Sequence, residues 1–200
     1  MQFFLKLIDN DKPEKYKDCV DLIDSIKNKI DNDKLYLCLD IEAYEREQKL
    51  LTEFGWCIFK KDGTIIKNKH AIVKENMKYS NGIHVPDNRD NFLFGKSEIQ
   101  ELKEIEEELK IDVAKVNFLV GQGVISDIRF FNKINFKTSN FKKMNSATVP
   151  EYGIIDTMDL YSGHFLKQGV SLEKSLIKLK IPYDKLHNAG KIIIIIIIKL

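Results

Sequence analysis

The stretch Leu35–Ile41 is almost continuously apolar, and its last residues run into Asp40 and Glu42. A strand that is apolar on both faces has to be covered on both, so it reads as the central strand of a layered fold. Around it the chain supplies the partners such a strand needs. Pro13–Asn32 places Tyr16, Val20, Ile23, Ile26 and Ile30 at helical spacing, which predicts an amphipathic helix leading into the domain. Thr52–Lys60 and Thr64–Lys74 read as two further strands, with Asp62-Gly63 between them as a hairpin turn signal.

Residues 75–96 are polar and broken by Asn81-Gly82 and Pro86-Asp87, a loop long enough to expect a function of it. Ser97–Lys110 predicts a strongly acidic helix with Ser97 as its N-cap. Val116–Val120 reads as a fourth strand running through Gly121 and Gly123 into a helix at 126–134, Ile154–Ile155 as a short strand, and Ser171–Leu179 as a helix. Three β segments followed by alternating helices and short strands predict an α/β domain with a mixed sheet.

The 200 residues suffice for one domain with a sizeable core, here taken as residues 35–200 with a helical extension over 1–34. Cys19, Cys38 and Cys57 are odd in number and set in apolar segments, which argues against a disulfide framework or a zinc knuckle and for reduced core cysteines of an intracellular protein, in cytoplasm or nucleus. A net charge of +2 excludes a histone-like or acidic-tail protein and leaves nucleic acid and protein partners open. The longest apolar run is the seven isoleucines at 192–198. A membrane-spanning helix needs about 20 residues, so no membrane partner is expected. The homopolymer fits neither an amphipathic helix nor a surface strand, and residues 191–200 stand out as an anomalous tail.

Asp40 and Glu42 share one side of a strand, since residues i and i+2 point the same way, and they leave the sheet at its carboxyl end, where open α/β sheets place ligands. Two anions so close repel, and a divalent cation is their natural partner. By itself Asp-x-Glu is a weak signal, because such pairs also occur on solvated strand ends.

The order of motifs is more specific. Asp40-x-Glu42 on a first strand, Thr52-Glu53-Phe54-Gly55-Trp56 in a second, Val120-Gly121-Gln122-Gly123 followed by Asp127, and then His187 resembles the DEDD, histidine-type 3′–5′ exonucleases of the ribonuclease-H-like superfamily. The likeness runs from about Leu35 to Gly190. Within the superfamily, His70–Asn76, Asn81-Gly82, Asp90–Glu98, Ile155-Asp156-Thr157 and Leu186–Gly190 are similar to the fungal proteins related to yeast Gfd-two, a factor linked genetically to mRNA export.

The resemblance implies a ribonuclease-H-like mixed sheet flanked by helices, with Asp40, Glu42 and Asp127 as ligands of two Mg²⁺ or Mn²⁺ ions and His187 orienting or deprotonating the attacking water. The substrate it implies is single-stranded RNA or DNA with a 3′ end. Without it, Asp127 reads as a first-turn carboxylate favoured by the helix dipole, and His187 as a loop histidine bound to backbone.

Two residues depart from the pattern. Gln122 stands where relatives usually carry histidine, a position outside the metal ligands. Ile192 falls where the fourth carboxylate belongs, and isoleucine binds no cation. It opens the isoleucine run, so the domain is expected to stop one helix short of its relatives. Either the site has lost a ligand, leaving hydrolysis impaired, or a repeat-encoded tail replaces the closing helix.

From Ile128 to Lys143 there is no carboxylate, and Arg129, Lys133, Lys137, Lys142 and Lys143 interleave with Phe130, Phe131, Phe136 and Phe141. Cations for phosphates and rings for bases are the ingredients of a single-strand groove, which makes Lys133, Lys137, Lys142 and Lys143 candidate nucleic-acid contacts. The alternative places Phe130 and Phe131 in the core, as Trp56 is expected to be, and makes His70 structural. Two other functions stay open: a non-catalytic nucleic-acid-binding module, and a protein-interaction scaffold using the acidic helix 97–110.

Overall fold

A computed structural model of the chain describes residues 14–92, 95–133, 138–144, 148–181, 183 and 189, with side chains at 132 and 133 excepted. His187, Lys137 and Ile192 lie outside the described residues.

In chain order the elements are α1 (Lys17–Lys29), β1 (Leu35–Tyr44), β2 (Glu47–Lys60), β3 (Ile65–Val73), β4 (Glu98–Gln100), α2 (Leu102–Val113), β5 (Phe118–Gly121), α3 (Ile125–Lys133), β6 (Lys142–Lys143), β7 (Gly153–Asp156), α4 (Thr157–Phe165) and α5 (Leu172–Leu179). The strands form one seven-stranded sheet in the order β4-β3-β2-β1-β5-β7-β6. β1, β2 and β3 make antiparallel pairs. β5, β7 and β6 run parallel to β1 and to one another, and β4 runs parallel to β3. The mixed α/β sheet expected from the sequence is the observed one.

Side-chain alternation along β1 sorts the core into two layers. Leu37, Leu39 and Ile41 face one side, where Phe54, Trp56 and Ile58 of β2 join them under Ile105, Leu109 and Val113 of α2 and Phe131 of α3. Tyr36 and Cys38 face the other, with Cys57, Phe59, Phe118 and Val120, beneath Leu22 of α1 and Leu160 of α4. The Tyr36 ring stacks on Phe59 and Phe118 with centroids 5.3 and 5.1 Å apart. The next two residues on this second face are Asp40 and Glu42, so the apolar row gives way to acids at the end of the strand.

α1 packs along α4. Gly163 makes the approach possible, since a Cβ there would lie 2.4 Å from the Cys19 carbonyl oxygen. The helix before β1 is therefore packed against the sheet's second layer rather than held apart from it.

Two elements differ from the sequence expectation. The acidic helix begins at Leu102, not Ser97: residues 98–100 pair with β3 as β4, and Glu101 caps the helix in a reciprocal capping box with Glu104. Helix α4 lies in a stretch that carries no clear apolar periodicity, because it packs between α1 and the sheet and is interrupted by Gly163. The acids of α2 that reach the sheet are bonded within the fold. Glu108 pairs with Lys67 and Lys69 at 2.9 Å each, and Asp112 takes hydrogen bonds from Lys67, from Lys115 at 2.9 Å and from the Trp56 indole at 2.9 Å.

Candidate active site

The end of β1 carries the site. Gly55 stands opposite Asp40 and Glu53 opposite Glu42, so β2 sets no side chain against Asp40 and one carboxylate against Glu42. β5 runs parallel beside β1 and delivers α3 to the same edge through the turn at Gly121–Gly123. Gly121 lies close against the Leu39 carbonyl, where a Cβ would sit 3.2 Å from the oxygen. Gly123 adopts φ +67°, a left-handed conformation that glycine tolerates best, and its N–H donates to Asp156 Oδ1 at 3.0 Å. Asp127, in the first turn of α3, then accepts the Ile41 N–H through Oδ1 at 3.2 Å.

The geometry thus brings Asp40, Glu42 and Asp127 together. Burial, then repulsion from Glu42, Asp127 and Glu53, pushes the Asp40 carboxyl well above the usual range. Burial, then Glu53, Asp127 and Asp87, pushes Glu42 up to about 8. Burial raises Asp127 to about 7 against the hydrogen bond from Ile41. The charges acting on all three are those of other carboxylates, and Asp40 Oδ2 is buried without a hydrogen-bond partner among the described residues. Buried like charges are costly unless a cation or protons compensate them.

The donor set fits a hard divalent cation: it is all oxygen, strongly negative and left with one unpaired buried oxygen. It is not a closed cage, since among the described residues no three His, Cys, Asp or Glu side chains converge on a common point that would hold an ion.

The loop after β3 walls the site. Glu45 accepts backbone N–H groups of Ile83, His84 and Val85 at 3.0, 2.8 and 3.0 Å, while Asn81 bonds both Glu45 N and the Ala43 carbonyl. Asp87 is gripped by Arg89 and by Ser80, whose hydroxyl donates to it at 2.7 Å. Burial raises the Asp87 carboxyl, but these hydrogen bonds outweigh it and hold it down at about 2.

Two of the lysines lie on the edge strand β6. Lys143 forms an ion pair with Asp159 of α4 at 2.9 Å, and Lys142 is exposed beside it on the edge strand β6. Lys133 closes α3. Phe131 is fully buried and Phe130 packs against the same core. Trp56 is likewise core. Gln122 is tied down, donating to the Val170 carbonyl at 2.7 Å and accepting from the Thr157 hydroxyl. The sequence did not single out Glu53 as a site acid. It lies within the buried, largely apolar stretch Leu51–Phe59, and only its register opposite Glu42 reveals it.

A mixed sheet with paired acids at the end of its central strand and a third acid on the helix after the next parallel strand defines a ribonuclease-H-like domain of the exonuclease type. Residues 35–191 match the DEDDh family described as DNA polymerase III subunit epsilon-like, C-terminal domain, and the chain belongs to that family. The protein "Good for full DBP5 activity protein 2" of Saccharomyces cerevisiae is 29% identical over 182 residues, covering 76% of this chain and 32% of its own. An uncharacterized nucleolar protein of Schizosaccharomyces pombe is 32% identical over 164 residues, covering 78% of this chain and 63% of its own. The chain thus spans between about a third and just under two thirds of the length of these relatives. Among solved structures, exonuclease I superposes with a TM-score of 0.56 at 10% identity, over 82% of this chain and 39% of that one. Its product-bound form gives 0.52 at 9% identity, over 82% and 42%. At such identity the likeness concerns the fold.

Proposed function

We propose that this chain acts at the 3′ end of single-stranded RNA or DNA as a metal-dependent phosphodiester hydrolase. The observation that carries the reading is the group of half-buried Asp40 and Glu42 with buried Asp127, in which Asp40 Oδ2 has no hydrogen-bond partner among the described residues and the charges acting are those of other carboxylates. When bound, a pair of Mg²⁺ or Mn²⁺ ions would supply the positive charge that phosphodiester hydrolysis requires. Asp40 and Glu42 would hold that charge at the end of β1, and Asp127 would hold it from α3. His187 is assigned the proton transfer from water by family resemblance. Lys133, Lys137, Lys142 and Lys143 are proposed to line the path of the strand, where each neutralised phosphate would add to salt-sensitive affinity. Among the described residues no helix is long and apolar enough to cross a membrane. With one relative described as nucleolar, an intracellular place in the nucleus or cytoplasm and a role in RNA metabolism or export are consistent with the reading.

Ile192, at the position of the fourth carboxylate, favours a second reading in which the domain binds nucleic acid with hydrolysis impaired. Single-stranded RNA and DNA labelled at the 5′ end separate the two. The first predicts Mn²⁺-dependent shortening from the 3′ end that Asp40→Ala abolishes. Salt-dependent binding with no shortening supports the second, and a chain that neither binds nor shortens the strands contradicts both.

A further inference from the structure

On the face of the sheet that carries Asp40 and Glu42, β2 and β3 present a second ordered group. Glu53 lies opposite Glu42, and His70 of β3 lies opposite Gly55, the residue that faces Asp40 from β2. The missing side chain at Gly55 leaves an opening across which the His70 ring reaches Glu53, with Nε2 3.0 Å from Oε2. The other ring nitrogen, Nδ1, lies 2.8 Å from the Ser97 hydroxyl. A carboxylate only accepts, so Nε2–H donates to Glu53, and in the neutral ring Nδ1 accepts from Ser97.

His70 has no exposed surface and Glu53 is 4% exposed. The ring also lies on Phe92, with centroids 4.9 Å apart. Such a histidine has no freedom to turn, and it fixes the rotamer of the carboxylate it holds. Across the β1–β2 pairing Glu53 stands directly opposite Glu42 and on the same face as Asp40. Glu53 sits in the continuously buried stretch Leu51–Phe59 of β2, where a carboxylate opposes folding unless it is paired, as His70 pairs it here.

We infer that Glu53 is the fourth carboxylate of the site, standing in for position 192, and that His70, anchored by Ser97, is the positioning residue that aims it at the cation. The inference rests on the metal-dependent reading above. It gives the site an acid from β2, on the face that carries Asp40 and Glu42, in a sequence that has isoleucine at 192. The pairing of a cation-facing acid with a histidine, and of that histidine with a further acceptor or donor, is the outer-sphere arrangement that orients metal ligands in general.

Mn²⁺ titration of the full chain, followed by the electron paramagnetic resonance of the free ion, tests it without reference to turnover. Glu53→Gln keeps an acceptor for His70 while removing the charge, and its affinity for Mn²⁺ should fall at least tenfold, no less than the roughly 10–100-fold lost with an outer-shell partner. His70→Ala should weaken binding as well, and His70→Gln, which restores a side-chain N–H donor, should recover most of it at an unchanged melting temperature. Should Glu53→Gln melt early, Glu53→Asp, which retracts the carboxylate by one methylene, serves for the same comparison. A loss of less than tenfold in the Glu53 variant, with binding abolished in Asp40→Asn, overturns the role of Glu53 and leaves the metal reading standing. Absence of Mn²⁺ binding by the unsubstituted chain overturns both.

Discussion

The Ile41 backbone N–H donates to Asp127 Oδ1 at 3.2 Å across 86 residues of sequence. This bond ties the first turn of α3 to the end of β1 and sets the third acid beside Asp40 and Glu42. The same fastening keeps three mutually repelling carboxylates together at least half-buried, so the site is held against its own electrostatics by the sheet around it.

A consequence for stability follows. Asp40→Asn removes one like charge from the cluster and puts an amide that can donate among the neighbouring carboxylates, at nearly unchanged volume. The metal-free chain should become more stable by about 1 kcal/mol, which for a chain of this size is about 2–4 °C in Tm. Mn²⁺ should raise the Tm of the unsubstituted chain and leave that of Asp40→Asn unmoved. Calorimetry with and without the ion checks both, and a metal-free Asp40→Asn that melts lower than its parent contradicts the repulsion.

The wall of the site should respond to acid. Asp87 has a carboxyl held down to about 2 against an ordinary 3.8, so the folded state binds fewer protons than the unfolded chain between those values. Its contribution is complete above about pH 4 and is lost as the pH falls toward 2. Amide exchange of residues 77–92, corrected for intrinsic rates, should show protection falling over that window ahead of the central strands. Protection that is flat from pH 4 to 2 rules out Asp87 as the clamp.

The outer side of the sheet has its own dependence. Asp112 is fully buried and binds the Trp56 indole and Lys67 together. Asp112→Ala leaves the buried Trp56 N–H without its acceptor and takes one of the two carboxylates that hold Lys67, and it should cost about 2–4 kcal/mol. Asp112→Asn, which keeps an acceptor for the indole, should cost less. Denaturant unfolding distinguishes them, and equal losses would show that the Trp56 bond contributes nothing.

Much of this was open to a reader of the sequence where the signal is local. The apolar run Leu35–Ile41 announces a central strand, Asp62-Gly63 announces the turn between β2 and β3, and the spacing of Asp40 and Glu42 puts both on one face. What stayed hidden depends on register or on tertiary packing. Glu53 is eleven residues from Glu42 along the chain and becomes its neighbour only through the pairing of β1 with β2. His70, which the sequence marks as structural, is fully buried and bonded to Glu53 and Ser97, partners that no local pattern announces. Ser97 is an ordinary capping residue by type, but the structure uses it to hold His70 and gives the cap of α2 to Glu101.

The central claim is that the carboxylates at the end of β1, with Asp127, bind a divalent cation. Anomalous X-ray scattering from crystals of the full chain grown in Mn²⁺ tests it most directly. The account predicts a manganese peak within bonding distance of the Asp40 carboxylate, shared with Glu42 or Asp127. Crystals that show no peak there, or a peak only at surface acids, would contradict it.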